Sequence, residues 1–343
     1  SGYQLCYMKR ILRPLMIISS LFMVFANPVC AQRVAVVLSG GGAKGLAHIG
    51  VLKALEEHNV PVDYLVGTSM GGIVGGFYAA GYSPWELEEL VIAENFQKWV
   101  QGSGSNFYTI DYNRPEPDAG WFAARLQVDS LKGASFSSAL ANDLTLNFAL
   151  AELLAQAGYR AGYDFDSLYR PFRAMAAEIF TQKEVILDSG ELNSAIRATF
   201  SVPLFYRPIE VDGKYLFDGG IYNNFPVGVA QEEFKPDIVI GVNVSSKTFE
   251  EYPKEEAEQL LSSTLMYLML DKSEPGAVGD GIYIEPDIEP YSPFAFAEVR
   301  AIIDSGYVAG LRAIPEIKAK IRREASCEEI GLERMEHVLG FEP

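Results

Sequence analysis

The chain alternates between short runs of continuous apolar residues and segments in which apolar residues recur at helical spacing. Val34–Leu38 is one such run, and a second, Tyr64–Val66, follows about one helix later. Runs of this kind are typical of strands that are covered on both faces of a parallel sheet. Between the two runs, apolar residues recur every three or four positions, which predicts a helix from Leu46 to Asn59. Pro61 then prevents the helix from continuing.

The segment after the second strand also predicts a helix. Residues 70–80 are small or apolar and rich in glycine, so a helix here needs close packing against a sheet to be stable. The next helix begins near Ser83, with Pro84 in its first turn and Glu86 placed to complete a capping box. A strand, helix, strand, helix order within about fifty residues is typical of a parallel βαβ unit. The sequence therefore predicts an α/β fold.

The rest of the chain contains fewer clear patterns. Further strands are predicted at Phe172–Ile179, Glu184–Leu187 and Ile238–Val242, with a hairpin at Ile209–Phe217 that turns at Asp212-Gly213. Helices are predicted at Ser137–Ala155, Glu255–Leu270 and Val299–Arg323, the last of them broken at Pro315, and a loop is predicted at Gly102–Gly120. No change in composition divides residues 32–314, which we expect to form one domain followed by a C-terminal helical tail, residues 315–343, or a linker to a further domain.

The N-terminal segment has the pattern of a secretory signal peptide. Three basic residues, the last of them Arg13, precede the apolar run Leu15–Ala26, and Val29-Cys30-Ala31 provides a small-residue exit. We expect translation to start at Met8, with residues 1–7 upstream, and cleavage to occur before Gln32. An uncleaved anchor and a lipidated Cys30 are the alternatives. This pattern predicts export to the periplasm, the outer membrane or the extracellular space.

The net charge of the chain limits the classes of molecule that we expect it to bind. The chain has 28 basic and 45 acidic residues, a formal charge of −17. Without the three basic residues of the signal segment, 25 basic residues remain against 45 acidic ones, or −20. Nucleic acids require a basic surface, so they are excluded as partners. Docking on anionic lipid by charge alone is excluded too, and we expect any transient membrane contact to use apolar side chains. Cys327 alone remains after cleavage, so no internal disulfide can form.

The motif Gly67-Thr68-Ser69-Met70-Gly71 fits the pattern G-x-S-x-G and lies between a predicted strand and a predicted helix. A serine on such a sharp turn is lifted above the edge of the sheet, and the flanking glycines allow close approach of a substrate carbonyl. The helix N-terminus behind it favours developing negative charge. Ser69 is therefore a candidate nucleophile, and a packing turn is the alternative.

A glycine-rich loop, Gly40–Gly45, follows the first predicted strand. Successive N–H groups in such a loop can bind an anion. A phosphate-binding loop requires Ser or Thr after the lysine, but Lys44 is followed by Gly45. A dinucleotide site fits poorly, because Asp63 opens the second strand instead of closing it. The remaining interpretations are an oxyanion hole formed by the amides of Gly41 and Gly42, or a plain tight turn.

The base that would activate Ser69 is not an obvious histidine. The chain contains His48, His58 and His337; we expect the last two to lie on the surface and His48 to be structural. Asp218, followed by Gly219-Gly220, closes the predicted hairpin and is the carboxylate placed on a glycine turn. By itself such a turn is usually only structural, and a catalytic role for Asp218 is the alternative.

The combination of these motifs resembles the patatin-like phospholipase family. A glycine-rich loop, the G-x-S-x-G turn and a later Asp-Gly-Gly follow in the family's order, from about Arg33 to Val244. The motifs between and after them also match; they are Phe172–Glu178, Asp188-Ser189-Gly190, Ala195–Ala198, Ser201-Val202-Pro203 and Asp218–Val227. Ala177-Glu178 departs from the Thr-Asp of many members, at a position that we interpret as structural.

The resemblance implies a three-layer fold, with a mostly parallel central sheet and helices on both faces. It implies a Ser69–Asp218 dyad, an oxyanion loop that contains Gly40, Gly41, Gly42 and Gly45, and no catalytic histidine, metal or cofactor. The implied reaction is acyl transfer from a lipid ester to Ser69 and hydrolysis of the acyl-enzyme, in a member of the bacterial, secreted type. A serine thioesterase or peptidase and a non-catalytic lipid-binding domain are the alternatives.

Overall fold

The computed structural model describes residues 32–101, 125–129, 133–137, 143–203, 205–245 and 274–340. The strands are β1 (Val34–Leu38), β2 (Tyr64–Thr68), β3 (Arg125–Asp129), β4 (Gly133–Ser137), β5 (Phe172–Glu178), β6 (Lys183–Leu187), β7 (Ile209–Val211), β8 (Lys214–Asp218), β9 (Ile238–Val242) and β10 (Ile282–Ile284). The helices are α1 (Ala47–Glu57), α2 (Met70–Ala79), α3 (Pro84–Ile92), α4 (Glu94–Gln101), α5 (Leu144–Arg160), α6 (Leu192–Thr199), α7 (Val227–Glu233), α8 (Val299–Lys320) and α9 (Cys327–Leu339).

The main sheet has the strand order β10-β9-β1-β2-β5-β8-β7, and β6 also pairs with β5. Five neighbouring strands, from β10 to β5, are parallel. Alternate residues of β1 belong to two separate apolar clusters: Val36 contributes to a large one that includes α1, α2 and α8, and Val37 to a smaller one that includes α7. Helices therefore cover both faces, and the predicted three-layer α/β architecture is confirmed.

Strand β5 brings two chain segments together end to end. Its first half pairs with β2, up to Met175 opposite Thr68. Its second half pairs with β8, beginning with Ala176 opposite Asp218. Because β6 occupies the other side of β5 throughout this region, β2 and β8 lie on the same side. The parallel strand β2 and the antiparallel strand β8 thus end against each other at Thr68 and Asp218.

Most of the predicted elements are present, with small differences at their ends. The capping box at Ser83 and Glu86 is formed, and β7 and β8 turn at Asp212-Gly213 as predicted. The prediction of a helix from Ser137 was wrong at its start, because Ser137 ends strand β4 and helix α5 begins at Leu144. The predicted loop at Gly102–Gly120 and helix at Glu255–Leu270 lie outside the described residues.

Helix α8 does not break at Pro315 but continues to Lys320. Proline removes one helical hydrogen bond, and packing of the helix can compensate for that loss. Here Gly306 of α8 crosses Gly50 of α1 so closely that a Cβ at Gly306 would lie 1.9 Å from the carbonyl oxygen of Ala47. The helix also crosses the predicted domain boundary at residue 314. None of the helices in the described ranges is long and apolar enough to span a membrane.

The last helix, α9, is attached to the core by a buried ion pair. The guanidinium of Arg334 donates to the carboxylate of Glu56 on α1, and the Glu56 side chain is only 3% exposed. The same guanidinium lies 5.3 Å from the ring centre of Tyr78 and 5.1 Å from that of Tyr169. A cation between two aromatic rings and a carboxylate is well compensated for its lost hydration.

We expect Arg334→Met to lower the free energy of unfolding by about 3–5 kcal/mol, because it leaves the Glu56 carboxylate buried without its cation. The matched control is Lys98→Met, which removes an exposed pair with Glu94 and should change stability by less than ~1 kcal/mol. Denaturant unfolding of both variants gives the comparison. Equal stability of the two would show that Arg334 is not needed to neutralise Glu56.

Candidate active site

Ser69 lies on a strained turn between β2 and α2. Its backbone has φ 54° and ψ −123°, a conformation that residues with a Cβ adopt only when their surroundings hold them there. Two hydrogen bonds hold this one: the Ser69 N–H donates to Oγ1 of Thr199 at 2.9 Å, and its carbonyl accepts from the N–H of Ile73 at 3.0 Å. The predicted strand–serine–helix turn is present.

The glycines that flank Ser69 allow this turn to pack tightly. A Cβ at Gly71 would lie 2.3 Å from the carbonyl oxygen of Leu38 at the end of β1, and one at Gly67 would lie 2.4 Å from the carbonyl oxygen of Gly71. Neither position can hold a side chain without moving the backbone. The spacing of the motif therefore follows from close contact between the turn and the neighbouring strand.

Thr199 was not found by sequence reasoning. It is the last residue of α6 and is fully buried, and its hydroxyl accepts the hydrogen bond that holds the Ser69 turn in place. The available signal was its position directly after Ala195–Ala198, one of the motifs that carry the family resemblance. A threonine in that position has no chemical signature of its own, because it acts on a backbone group 130 residues away.

Asp218 ends β8 and is completely buried. Its Oδ1 accepts a hydrogen bond from the N–H of Gly220 at 2.8 Å, and its own N–H donates to the carbonyl of Ser201 at 3.0 Å. Burial raises the pKa of Asp218 from 3.8 to about 7, while hydrogen bonds from the Ser69 hydroxyl and the Gly220 N–H act to lower it. A carboxylate with a pKa near neutrality can accept a proton from a hydroxyl group far better than an ordinary one.

The Asp218 carboxylate lies beside the Ser69 hydroxyl but has one oxygen without a regular hydrogen bond among the described residues. The Ser69 hydroxyl affects the pKa of Asp218 as a hydrogen-bond donor, yet Oδ2 of Asp218 has no partner of normal geometry among the described residues. Contacts of this kind often tighten when substrate binds. The end-to-end meeting of β2 and β8 thus brings together the two residues that the motifs predicted, with one carboxylate oxygen still available.

The glycine-rich loop lies directly against Ser69. A Cβ built on Gly40 would lie 3.0 Å from Cβ of Ser69. The Gly40 N–H donates to the carbonyl of Asn224 at 3.1 Å, and the Ala43 N–H donates to the carbonyl of Pro293 at 2.7 Å. Between these two anchors, the N–H groups of Gly41 and Gly42 have no hydrogen-bond partner in the described part of the chain. They are the groups that sequence reasoning assigned to an oxyanion.

The other faces of this loop are packed. A Cβ at Gly41 would lie 2.9 Å from Cγ2 of Val244, and one at Gly42, where φ is +59°, would lie 2.4 Å from the carbonyl oxygen of Pro293. A Cβ at Gly45 would lie 2.5 Å from Cβ of Met70, the residue after the nucleophile. These glycines permit the loop to be held between the sheet and the nucleophile turn.

The three histidines contact groups other than the Ser69 hydroxyl and the Asp218 carboxylate. The His48 ring is buried, and its Nε2 lies 2.8 Å from the carbonyl oxygen of Ser39; burial lowers the pKa of His48 to about 4. His58 contacts the carbonyl of Ala54 in its own helix, and His337 packs against Tyr169. His48 therefore holds the start of the glycine-rich loop as a neutral ring.

Comparison with known proteins gives a consistent result. The model of the patatin-like phospholipase family matches residues 36–230. The chain is 28% identical to lysophospholipase NTE1 of Kluyveromyces lactis over 329 residues, and 30% identical to an uncharacterized NTE family protein of Mycobacterium tuberculosis over 228 residues. Among solved structures, VipD from Legionella pneumophila aligns with a TM-score of 0.45 and 13% identity. The alignment covers 84% of this chain and 67% of the VipD chain.

The match spans only part of these relatives. It covers 87% of this chain but 20% of the Kluyveromyces protein, and 66% of this chain but 53% of the Mycobacterium protein.

We expect Asp218→Asn to stabilise the fold at alkaline pH. The folded-state pKa of Asp218 lies above its ordinary value of 3.8, so the unfolded chain ionises first as pH rises. The folded state then loses relative stability between pH 3.8 and about 7, and the full penalty applies above that range. A neutral amide removes the penalty.

The measurement is the midpoint of thermal unfolding at pH 8 and at pH 4. Asp218→Asn should raise it at pH 8, and the gain should shrink at pH 4, where the folded Asp218 carboxyl is already protonated. Replacement of the exposed Asp304 by Asn is the matched control, without this pH-dependent gain. A variant that is destabilised at both pH values would contradict the assignment of a costly buried charge.

Proposed function

Because the chain belongs to the patatin-like phospholipase family, we propose that it is an exported serine hydrolase of lipid esters. In this proposal Ser69 is the nucleophile and Asp218 is its general base. The observation that carries it is the meeting of β2 and β8 along β5, which places a strained serine beside a buried carboxylate whose pKa is about 7. The unpartnered amides of the adjacent loop supply a place for an oxyanion.

The proposed reaction begins with transfer of the Ser69 hydroxyl proton to Oδ2 of Asp218. The alkoxide oxygen attacks the ester carbonyl, and the N–H groups of Gly41 and Gly42 stabilise the negative charge that forms on the carbonyl oxygen. Collapse of this intermediate breaks the ester bond, and Asp218 returns the proton to the departing alcohol. Asp218 then takes a proton from water, the hydroxide attacks the acyl-enzyme, and the proton returns to the Ser69 oxygen as the acid is released.

The substrate class is proposed from the relatives. One is named a lysophospholipase, and a mouse protein that is 28% identical over 230 residues is named a patatin-like phospholipase domain-containing protein. We therefore propose a phospholipase A or lysophospholipase activity. Mass spectrometry of the products from phospholipids, lysophospholipids, neutral esters, thioesters and peptides distinguishes this activity from that of a serine thioesterase or peptidase.

Export is proposed from the sequence of the first 31 residues. The expected mature protein begins at Gln32, with the domain that carries the site following it. N-terminal sequencing of the protein from envelope fractions of its native cells tests this expectation. An intact apolar run, Leu15–Ala26, in that protein would instead favour an anchor.

We expect Asp218→Asn to lower kcat/KM nearly as much as Ser69→Ala, by about 10⁴-fold or more, because it removes the base itself. His48→Gln should retain most of the activity, since a glutamine amide can also donate to the carbonyl of Ser39. Hydrolysis of a soluble short-chain ester measures all three variants, and circular dichroism verifies that they fold. An active Asp218→Asn together with an inactive His48→Gln would require a different base.

The pH dependence of kcat/KM is an independent test of whether Asp218 or His48 is the base. Asp218 accepts a proton only when ionised, so kcat/KM of the wild-type protein should rise with pH through about 7 and level off above it. His48, with a pKa lowered to about 4, does not titrate in this range. A rate that is independent of pH between 5 and 9 would exclude Asp218 as the base.

A further inference from the structure

Two hairpin turns extend beyond the candidate active site on the same edge of the sheet. Strand β5 continues from Ala176, opposite Asp218, to Glu178, where it turns into β6. Strand β8 begins at Lys214, four residues before Asp218, so the turn between β7 and β8 lies about 13 Å past the dyad. The tips of both hairpins therefore project from the edge at which the nucleophile lies.

Each tip carries an exposed aromatic side chain. Phe180 is 82% exposed and Tyr215 is 51% exposed, and both line one open groove. A solvent-exposed phenylalanine side chain is costly in water, and paired exposed aromatic groups on a projecting edge are typical of a surface that becomes covered.

The charged side chains at these tips differ in whether other protein groups bind them. Glu178 accepts hydrogen bonds from the N–H groups of Phe180 and Thr181, at 2.9 Å and 2.7 Å. Glu184 accepts one from Nδ2 of Asn223 at 2.7 Å. Both of these carboxylates are thus engaged by the protein, whereas Asp212, at the turn between β7 and β8, is exposed.

The two lysines of the same groove are Lys183 and Lys214, and both are exposed. Neither forms an ion pair with any described residue, although Lys214 acts on Glu178 at longer range. We name the surface formed by Phe180, Lys183, Lys214 and Tyr215 the hairpin lip. It combines apolar rings with cations on flexible stems.

We propose that the hairpin lip docks on the surface of a zwitterionic phospholipid layer and presents the Ser69 edge to it. This inference rests on the proposed lipid-ester hydrolase function. Aromatic rings favour the boundary between headgroups and acyl chains, and lysine side chains can reach phosphate groups while their stems stay in the apolar layer. A chain with a net charge of −17 is repelled by an anionic surface, so a zwitterionic lipid is the matching partner.

Binding is tested first, without catalysis. The full chain carrying Ser69→Ala is sedimented with phosphatidylcholine vesicles, alone and with Phe180→Ala and Tyr215→Ala added. We expect these two substitutions together, the lip variant, to weaken binding on the order of tenfold or more, since each removes apolar area that the lipid would cover. Vesicles that contain phosphatidylglycerol should bind the parent variant more weakly.

The matched control is Tyr159→Ala, an aromatic residue that is 72% exposed near the C-terminal end of α5. This end leads to Asp164, which bridges to Ser189 just past the end of β6, so it lies toward the other edge of the sheet. Its replacement should leave vesicle binding unchanged. Equal binding by the lip variant and the control variant would overturn the proposal, as would a lip variant that changes only the oligomeric state.

Activity separates this proposal from the proposed function. In a chain that retains Ser69, the lip variant should hydrolyse a soluble short-chain ester at the wild-type rate. It should hydrolyse phosphatidylcholine vesicles on the order of tenfold more slowly. Loss of both activities would place the lip in the catalytic machinery and contradict docking. If the wild-type protein hydrolyses no ester at all, the proposed function fails, while the sedimentation of the Ser69→Ala protein still decides whether the lip binds lipid.

Discussion

The exclusion of water from the Asp218 carboxylate is the constraint on which the site depends. An exposed aspartate is too weak a base to activate a serine hydroxyl, and burial at the meeting point of β2 and β8 raises its pKa to about 7. That burial is possible because the sheet surrounds the group and because the Gly220 N–H satisfies one of its oxygens. The other oxygen is left to the serine. The same arrangement makes the fold carry a charge that it would be more stable without.

The strained backbone of Ser69 is a second feature that lowers the stability of the fold. Ser69 has a positive φ, and its conformation persists because Thr199 accepts its N–H and because glycines allow the turn to lie against β1. His48 anchors the start of the neighbouring loop through the carbonyl of Ser39. These contacts come from four separate elements, so the geometry of the site is a property of the packed domain and not of the local motif.

Sequence reasoning found the residues whose chemistry is visible in their own neighbourhood. The apolar run of β1, the capping box at Ser83 and the choice of Ser69 follow from local patterns, whereas Asp218 became a candidate only through the family resemblance. The end-to-end arrangement of β2 and β8 could not be predicted, because the register of β5 with two strands depends on contacts between distant segments. Thr199 was not predicted for the same reason. The predicted break at Pro315 was wrong, because local propensity favours a break whereas tertiary packing keeps α8 continuous.

The separation of Ser69 and Asp218 along the chain has a consequence for how the protein matures. Their contact joins segments that are about 150 positions apart, and the Glu56–Arg334 pair joins segments 278 positions apart. Contacts of such range form late, because a large loop must close before any interaction stabilises it. A nascent chain therefore contains Ser69 long before Thr199 and Asp218 can lie beside it. Ser69 and the buried carboxylate meet only when the whole sheet has assembled, so the hydrolase activity proposed for this pair would appear only in the completed fold.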